Sequence, residues 1–224
     1  MVARLRITPV TTNRPRRQRT EDRRPQIADA ALRILATRGA SLLTAAEIGR
    51  EVGIADSTVF RHFRDMDEVI LVAIERVQAV LAESYPAPGQ PPLEQLRAFF
   101  LARLALVRQR PEILRLATSD CLEQVAGPEG ARRLRDSIAR SKQFIEACLR
   151  DAQTDGDIPA ELDLVVLGWV IRGTLQGAVE ASTRGRAKMV PSPQATWSVL
   201  ERLLRGQPHG TRTARSPRKD KRAR

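Results

Sequence analysis

Apolar residues recur along this chain at helical spacing, and no stretch alternates with the period of two that marks a half-buried strand. Ile27, Ala31, Ile34 and Leu35 define the buried face of a first helix. Pro25 suits its first turn, where a missing amide would be unpaired anyway, and Gly39 marks its end. Ile48 and Val52 share a face of a short helix over Ala45 to Val52. Val59, Phe60 and Phe63 are placed to turn inward together from the next helix, Asp56 to Phe63. Val69, Val72, Ala73, Val77, Val80 and Leu81 carry a fourth helix to about Ser84. Four prolines and a glycine in Tyr85 to Pro92 then exclude regular helix, and the domain boundary is placed there, with the fourth helix expected to dock on both sides of it.

The second part is again helical. Leu93 to Gln109 carries Leu96, Phe99, Phe100, Arg103, Leu104 and Val107. Pro111 starts a helix through Leu114, Ala117 and Cys121 that ends near Gly127. Pro128 or Glu129 opens a long helix with Leu134, Ile138, Phe144, Ile145, Cys148 and Leu149. Thr154 to Asp163 reads as a loop, Leu162 to Ser182 as the most apolar helix, and Gln194 to Leu204 as the last. No internal repeat is visible. The expected class is all-α.

Thr44 to Phe63 organises the N-terminal part. Thr44 is placed to cap a helix through its hydroxyl. Gly53 ends that helix, because only glycine adopts the left-handed conformation without a Cβ penalty. Gly49 sits mid-helix at a cost of about 1 kcal/mol relative to alanine, which points to a close backbone approach. Asp65, with Glu68 three residues on, has the form of a capping box for the fourth helix. Helix, glycine turn and helix is the unit that places its second helix in the DNA major groove, although an ordinary helical hairpin shares the pattern.

The neighbouring residues add to that pattern. IADAALRILATRGASLLTAAEIGREVGIADSTVFRHFRDMDEVILVAI, within Arg24 to Glu75, resembles the N-terminal DNA-binding domain of the TetR family of transcriptional regulators. A helix leads to Gly39, then come EIGREVGI, STVFRHF and an acidic helix start. The resemblance covers roughly fifty residues, and beyond them it is one of layout. Four positions depart from the family pattern. Phe60 stands for the usual tyrosine, Met66 for a phosphate-binding lysine and Ala55 for a serine cap, and Asp56 puts a negative charge on the reading helix.

The resemblance implies a three-helix DNA-binding domain over 24–84 and a C-terminal ligand-binding and dimerisation domain over 91–206. It implies a homodimer reading a palindromic operator in double-stranded DNA, most simply as a repressor, under control of a small-molecule effector whose identity the sequence does not give. The expected DNA-facing residues are Thr44, Ala46, Asp56, Ser57, Thr58, Phe60, Arg61 and His62. Thr58 offers a hydroxyl to phosphate and a methyl to thymine. Arg61 offers a fork to guanine or a contact to phosphate, and His62 matches the family's His-Phe pair. Asp56 is better placed to complement the helix dipole than to read cytosine. The family's last two helices form a dimeric four-helix bundle, which assigns Trp169, Gly173, Gly177, Trp197 and Leu200 to the interface.

Composition changes this picture little. Apolar residues make up 42% of the 224 and aromatics only 4%, so the core must be mostly aliphatic. No apolar run approaches the roughly 18 residues that span a membrane, and the first residues lack a secretory signal. Cys121 and Cys148 give neither a metal spacing nor a disulfide framework, which suits a reducing cytoplasm.

Charge placement adds more. The net charge is +12, but residues 1–24 carry +6 and residues 205–224 carry +7, leaving the body near neutral. The ends, 1–23 and 207–224, read as flexible basic segments with a polyanion as natural partner. They support a runner-up reading, a sequence-tolerant DNA binder that organises chromatin.

Catalysis finds no footing. His62 and His209 share no metal-ligand spacing, no phosphate-binding glycine loop is present, and Asp155 with Asp157 reads as a solvated turn. No cofactor or metal is expected, and no enzyme. Phe99, Arg103, Cys121, Phe144, Trp169, Arg172 and Gln176 are the candidate lining of a small-molecule pocket, with Arg172 meeting an anionic group. Aromatics at helical spacing are, however, more often core than pocket lining.

Overall fold

The computed structural model describes residues 20–117, 120–184 and 190–206. Residues 1–19 of the expected arm and all of 207–224 lie outside that range. Ten α-helices and no strand occur among the described residues. They are α1 (Thr20–Arg38), α2 (Ala45–Val52), α3 (Asp56–Val59), α4 (Met66–Ala82), α5 (Pro92–Gln109), α6 (Pro111–Ala117), α7 (Asp120–Val125), α8 (Gly127–Thr154), α9 (Leu164–Thr183) and α10 (Pro193–Leu204). A short 3-10 turn, Ala40–Leu42, joins α1 to α2.

Two apolar cores are built, and two helices serve both. The smaller core joins Ile27, Ala30, Ala31 and Ile34 of α1 to Ile48 of α2, Val59 of α3, Phe63 and Val69. The opposite side of α1, with Ala28, Leu32, Leu35 and Ala36, faces the larger core instead. So does most of α4, through Ile70, Ala73, Ile74, Val77, Val80 and Leu81. Polar contacts follow the same route. Arg76 of α4 pairs with Asp29 of α1 at 3.2 Å. On the other side of α4, Glu75 pairs with Arg133 of α8 at 2.8 Å, and Gln78 donates to Ser137 at 2.9 Å. The sequence break at Tyr85 to Pro92 is therefore a turn in the chain and does not separate the cores.

In the larger core α5 is central, packed by α6, α8, α9 and α10. Tyr85 and Phe144 stack against its Phe99, with centroids 5.0 to 5.3 Å apart. On its other side Phe100 meets Trp197 of α10 at 5.8 Å.

Several expectations are corrected. α1 begins at Thr20, so Pro25 lies inside it and does not open it. The reading helix is regular only over Asp56–Val59; Arg61 and His62 then donate to Thr58 and Val59 in i,i+3 turns, which keep nearly the same side-chain spacing. Phe60 turns outward and is half exposed, because it follows the buried Val59 and helical neighbours stand about 100° apart around the axis. The expected helix from Pro111 to Gly127 is two, α6 and α7.

α9 overturns another expectation. Leu164–Ser182 is long and apolar enough, by length and composition alone, to cross a membrane, with a mean hydropathy of 1.2. Its glycines and Arg172 interrupt the large aliphatics, which hides the run in the sequence. Its apolar residues point two ways: Ile171, Ala178 and Val179 into the core, and Val165, Val166 and Trp169 outward. Trp197 and Leu200, expected at a subunit interface, face the chain's own core through α5.

That placement predicts that Trp197→Ala destabilises the subunit fold by about 3–5 kcal/mol through the cavity it leaves. Urea unfolding at fixed protein concentration measures it. An unchanged midpoint would put Trp197 outside the core.

Candidate nucleic-acid interface and small-molecule cavity

The turn between α2 and α3 is fixed by local chemistry. Thr44 is extended, and its Oγ1 accepts from the Glu47 amide at 3.2 Å. Gly53 closes α2 in the left-handed conformation, with φ 73° and ψ 38°, which a side chain would strain. Ile54 N then donates to Gly49 O at 2.8 Å. A Cβ on Gly49 would stand 2.7 Å from Ile54 O and 3.3 Å from Asp56 N. The glycine thus brings the start of α3 against α2, the close approach expected of it.

α3 and the turn after it present a mixed face. Thr44, Ala46, Asp56, Ser57, Phe60 and Arg61 are exposed, and Thr58 and His62 are half-buried. Asp56 Oδ1 accepts from the Ser57 amide at 2.7 Å, so its carboxylate is already engaged at the helix start. Arg61 has no side-chain partner among the described residues and projects from this face, which suits a guanidinium that meets an external anion or base edge. His62 differs: its Nδ1 is buried without a hydrogen-bond partner.

The C-terminal end of this segment is held by Arg24, which sequence reasoning assigned no role. Its guanidinium lies over the Phe63 ring, 4.2 Å from the centroid. It donates to His62 O and pairs with Glu68 at 2.7 Å. Glu68 in turn accepts from the Arg64 amide at 2.7 Å. These contacts, the Arg64 amide first, hold the Glu68 carboxyl below its ordinary range. Asp65 caps α4 by accepting from Glu68 N at 2.8 Å, and pairing with Arg64 lowers its carboxyl as well. The only sequence signal for this clamp was an arginine beside a helix proline.

The second feature is a half-open cavity of about 400 Å³ between α5, α8 and α9, bordered by Leu81 of α4 and by Leu114 and Ala117 of α6. Phe99, Arg103, Trp169, Arg172 and Gln176 line it. Phe144 does not, being turned into the stack with Phe99 and Tyr85. Cys121 falls where side chains are not described. The sequence reading missed the α8 wall of Ser137, Ile138, Ser141, Lys142 and Ile145, because polar residues on a long helix look like a solvent face. Arg172 is paired with Glu146 at 3.9 Å, as is Lys142 at 3.8 Å. Arg103 is the buried cation of the wall, 7% exposed. Cys148, on the core side of α8, is a buried thiol whose pKa burial pushes up to about 11.

The third feature is the outer face of α9 and α10. Val165 is 77% and Trp169 74% exposed, beside Val166, Val199 and Leu203. Gly173 and Gly177 are exposed between them, and a Cβ at either would meet nothing within 4 Å. No cluster of three potential metal ligands occurs among the described residues.

Known proteins resemble this chain in sequence and in fold. Residues 27–73 match the family described as bacterial regulatory proteins, tetR family. The HTH-type transcriptional regulator SrpR of Pseudomonas putida is 28% identical over 195 residues, covering 84% of this chain and 88% of that protein. The nucleoid occlusion factor SlmA of Vibrio atlanticus is 24% identical over 202 residues, covering 84% and 98%. Among solved structures, the transcriptional regulator FadR from Bacillus subtilis in complex with stearoyl-CoA superposes with a TM-score of 0.56 at 18% identity, covering 81% of this chain and 98% of that one.

The turn geometry predicts that Gly49→Ala destabilises the DNA-facing unit by about 1–3 kcal/mol, since backbone must shift to admit the methyl. Thermal unfolding followed by circular dichroism reads this. An unshifted transition would mean that the α2–α3 contact is looser than described.

Proposed function

We propose that this chain, which belongs to the TetR family of transcriptional regulators, works as a dimeric repressor that leaves a palindromic operator when a small molecule fills its cavity. The observation that carries this reading is the double role of α4. Its Leu81 borders the cavity, and its Val69 belongs to the core that holds the reading segment. A molecule that presses on the cavity wall can tilt α4 and, with it, α3. Such a molecule shifts the equilibrium only by as much as it prefers the DNA-incompetent state.

In this reading Ser57, Thr58, Arg61 and His62 approach the major groove, with Thr44 and Ala46 near the flanking backbone. Asp56 shapes the helix start. Phe60 offers an apolar contact, to a thymine methyl for example. The outer face of α9 and α10 meets its copy, with Trp169, Gly173 and Gly177 at the seam; Trp197 and Leu200 support that face from behind. A symmetric pair places two reading segments about one helical turn, roughly 34 Å, apart. The regulator is read as cytoplasmic, without cofactor or catalytic role. The stearoyl-CoA complex of the Bacillus subtilis protein supports a small-molecule effector here.

The likeness to a nucleoid occlusion factor motivates a second reading, a DNA binder that organises chromatin without sequence preference. Selection from a randomised DNA pool separates the two. A two-fold symmetric sequence with half-sites one turn apart is the outcome expected, and enrichment of no sequence would leave the second reading.

Two substitutions test the parts. Arg61→Ala should weaken operator binding by about 1–3 kcal/mol and relax preference at one symmetric position; a uniform loss over all sequences in gel shifts would make Arg61 a phosphate contact. Gly173→Leu should wedge the facing helices apart, and sedimentation should then find monomers. A dimer that persists at low concentration would place the association elsewhere.

A further inference from the structure

The cavity wall is apolar almost throughout, yet Arg103 is buried in it. Arginine carries five donors and no acceptor, and few of Arg103's are used. Nη2 donates to Ser141 Oγ at 3.1 Å, and that hydroxyl also contacts the Tyr85 hydroxyl at 3.1 Å. The guanidinium carbon lies 5.0 Å from the Phe99 ring centroid and 5.8 Å from that of Tyr85. Nε is buried with no partner.

The other two cations of the wall are placed differently. Lys142 and Arg172 share the Glu146 carboxylate, whereas no ion pair to Arg103 occurs among the described residues. Burial lowers the Arg103 pKa to about 10, against a smaller opposing pull from Tyr85, so it stays a cation at neutral pH. A buried charge without a counter-charge is costly. The chain keeps one, with free donors, in a cavity large enough for a ligand.

We propose that the cavity takes a molecule with an apolar body and one anionic headgroup, carboxylate or phosphate, the headgroup seated on Arg103 and the body along Phe99, Val107, Ile145 and Val179. This rests on the reading of the cavity as the effector site. It moves the anion contact from Arg172, the expected partner, to Arg103, because Arg172 already has Glu146 beside it while no carboxylate pairs with Arg103 among the described residues. Arginine matches both headgroups through parallel N–H bonds.

The test titrates the full-length dimer with decanoate, decyl phosphate and decanol below their micelle-forming range, by calorimetry. At least one of the two anions should bind ten-fold or more tightly than decanol, and the tighter of them identifies the headgroup. Arg103→Met should bring all three to similar affinity, and Arg103→Lys should keep part of the preference. Should Arg103→Met fail to fold, the comparison in the unaltered protein still decides. Decanol binding as tightly as both anions would overturn the headgroup assignment and leave the cavity as an apolar effector site. An Arg103→Met variant that retains the preference for an anion would overturn it equally. If none of the three binds, the headgroup assignment falls, and the effector reading is decided separately by whether operator affinity responds to a filled cavity.

Discussion

The structure depends on α4 being buried on two sides by different parts of the chain. A helix that serves one core can be moved by that core without consequence for another. α4 cannot, because Val69 packs with α1, α2 and α3 while Ile70, Ile74, Val77 and Leu81 pack in the larger core. Close-packed interiors do not deform continuously, so displacement at one side is passed on or resisted. The charged contacts to Asp29 and Arg133 sit on opposite sides of the same helix and hold it in register. Arg24 completes the link at the other end, where it ties the end of the reading segment to Glu68 in the first turn of α4. The reading segment is only four residues of regular helix and two turns. Such a short element has little stability of its own and takes its position from what it is tied to.

The cavity adds the complementary constraint. Folding alone would favour an apolar residue at position 103, and burying a cation there spends stability for something else. A site that is costly when empty and satisfied when filled is one on which a ligand's anion gains most. Leu81 lies in the same wall, so what satisfies Arg103 also touches the helix that holds the reading segment.

Much of the N-terminal unit was legible in the sequence because its punctuation is local. Thr44, Gly53 and Asp65 act on neighbours within four residues, and each is found in the role that its chemistry suggests. Gly49 was legible for the same reason. The length of α3 was not, since i,i+3 and i,i+4 turns space side chains almost alike. The C-terminal site was harder. Apolar residues on α9 and α10 look the same whether they face the chain's own core, as Trp197 does, or lie open, as Trp169 does. Arginine is seldom buried, so Arg103 entered as one pocket candidate among seven, with nothing to rank it above Arg172. The α8 wall was missed because Ser137, Ser141 and Lys142 are ordinary residues on a helix until its packing partners are known.

The account's central claim is that filling the cavity moves the reading segments, whatever fills it. Val107→Trp fills it from α5 without touching the DNA-facing unit. Spin labels on Arg50→Cys, exposed on α2, in a Cys121→Ser background report the distance between the two halves of a dimer by electron double resonance. Cys148 is buried and should not take the label. For a Val107→Trp variant that keeps dimer mass and helical content, the account predicts a shifted distance distribution and a loss of operator affinity together. An unchanged distribution with full operator affinity would contradict it.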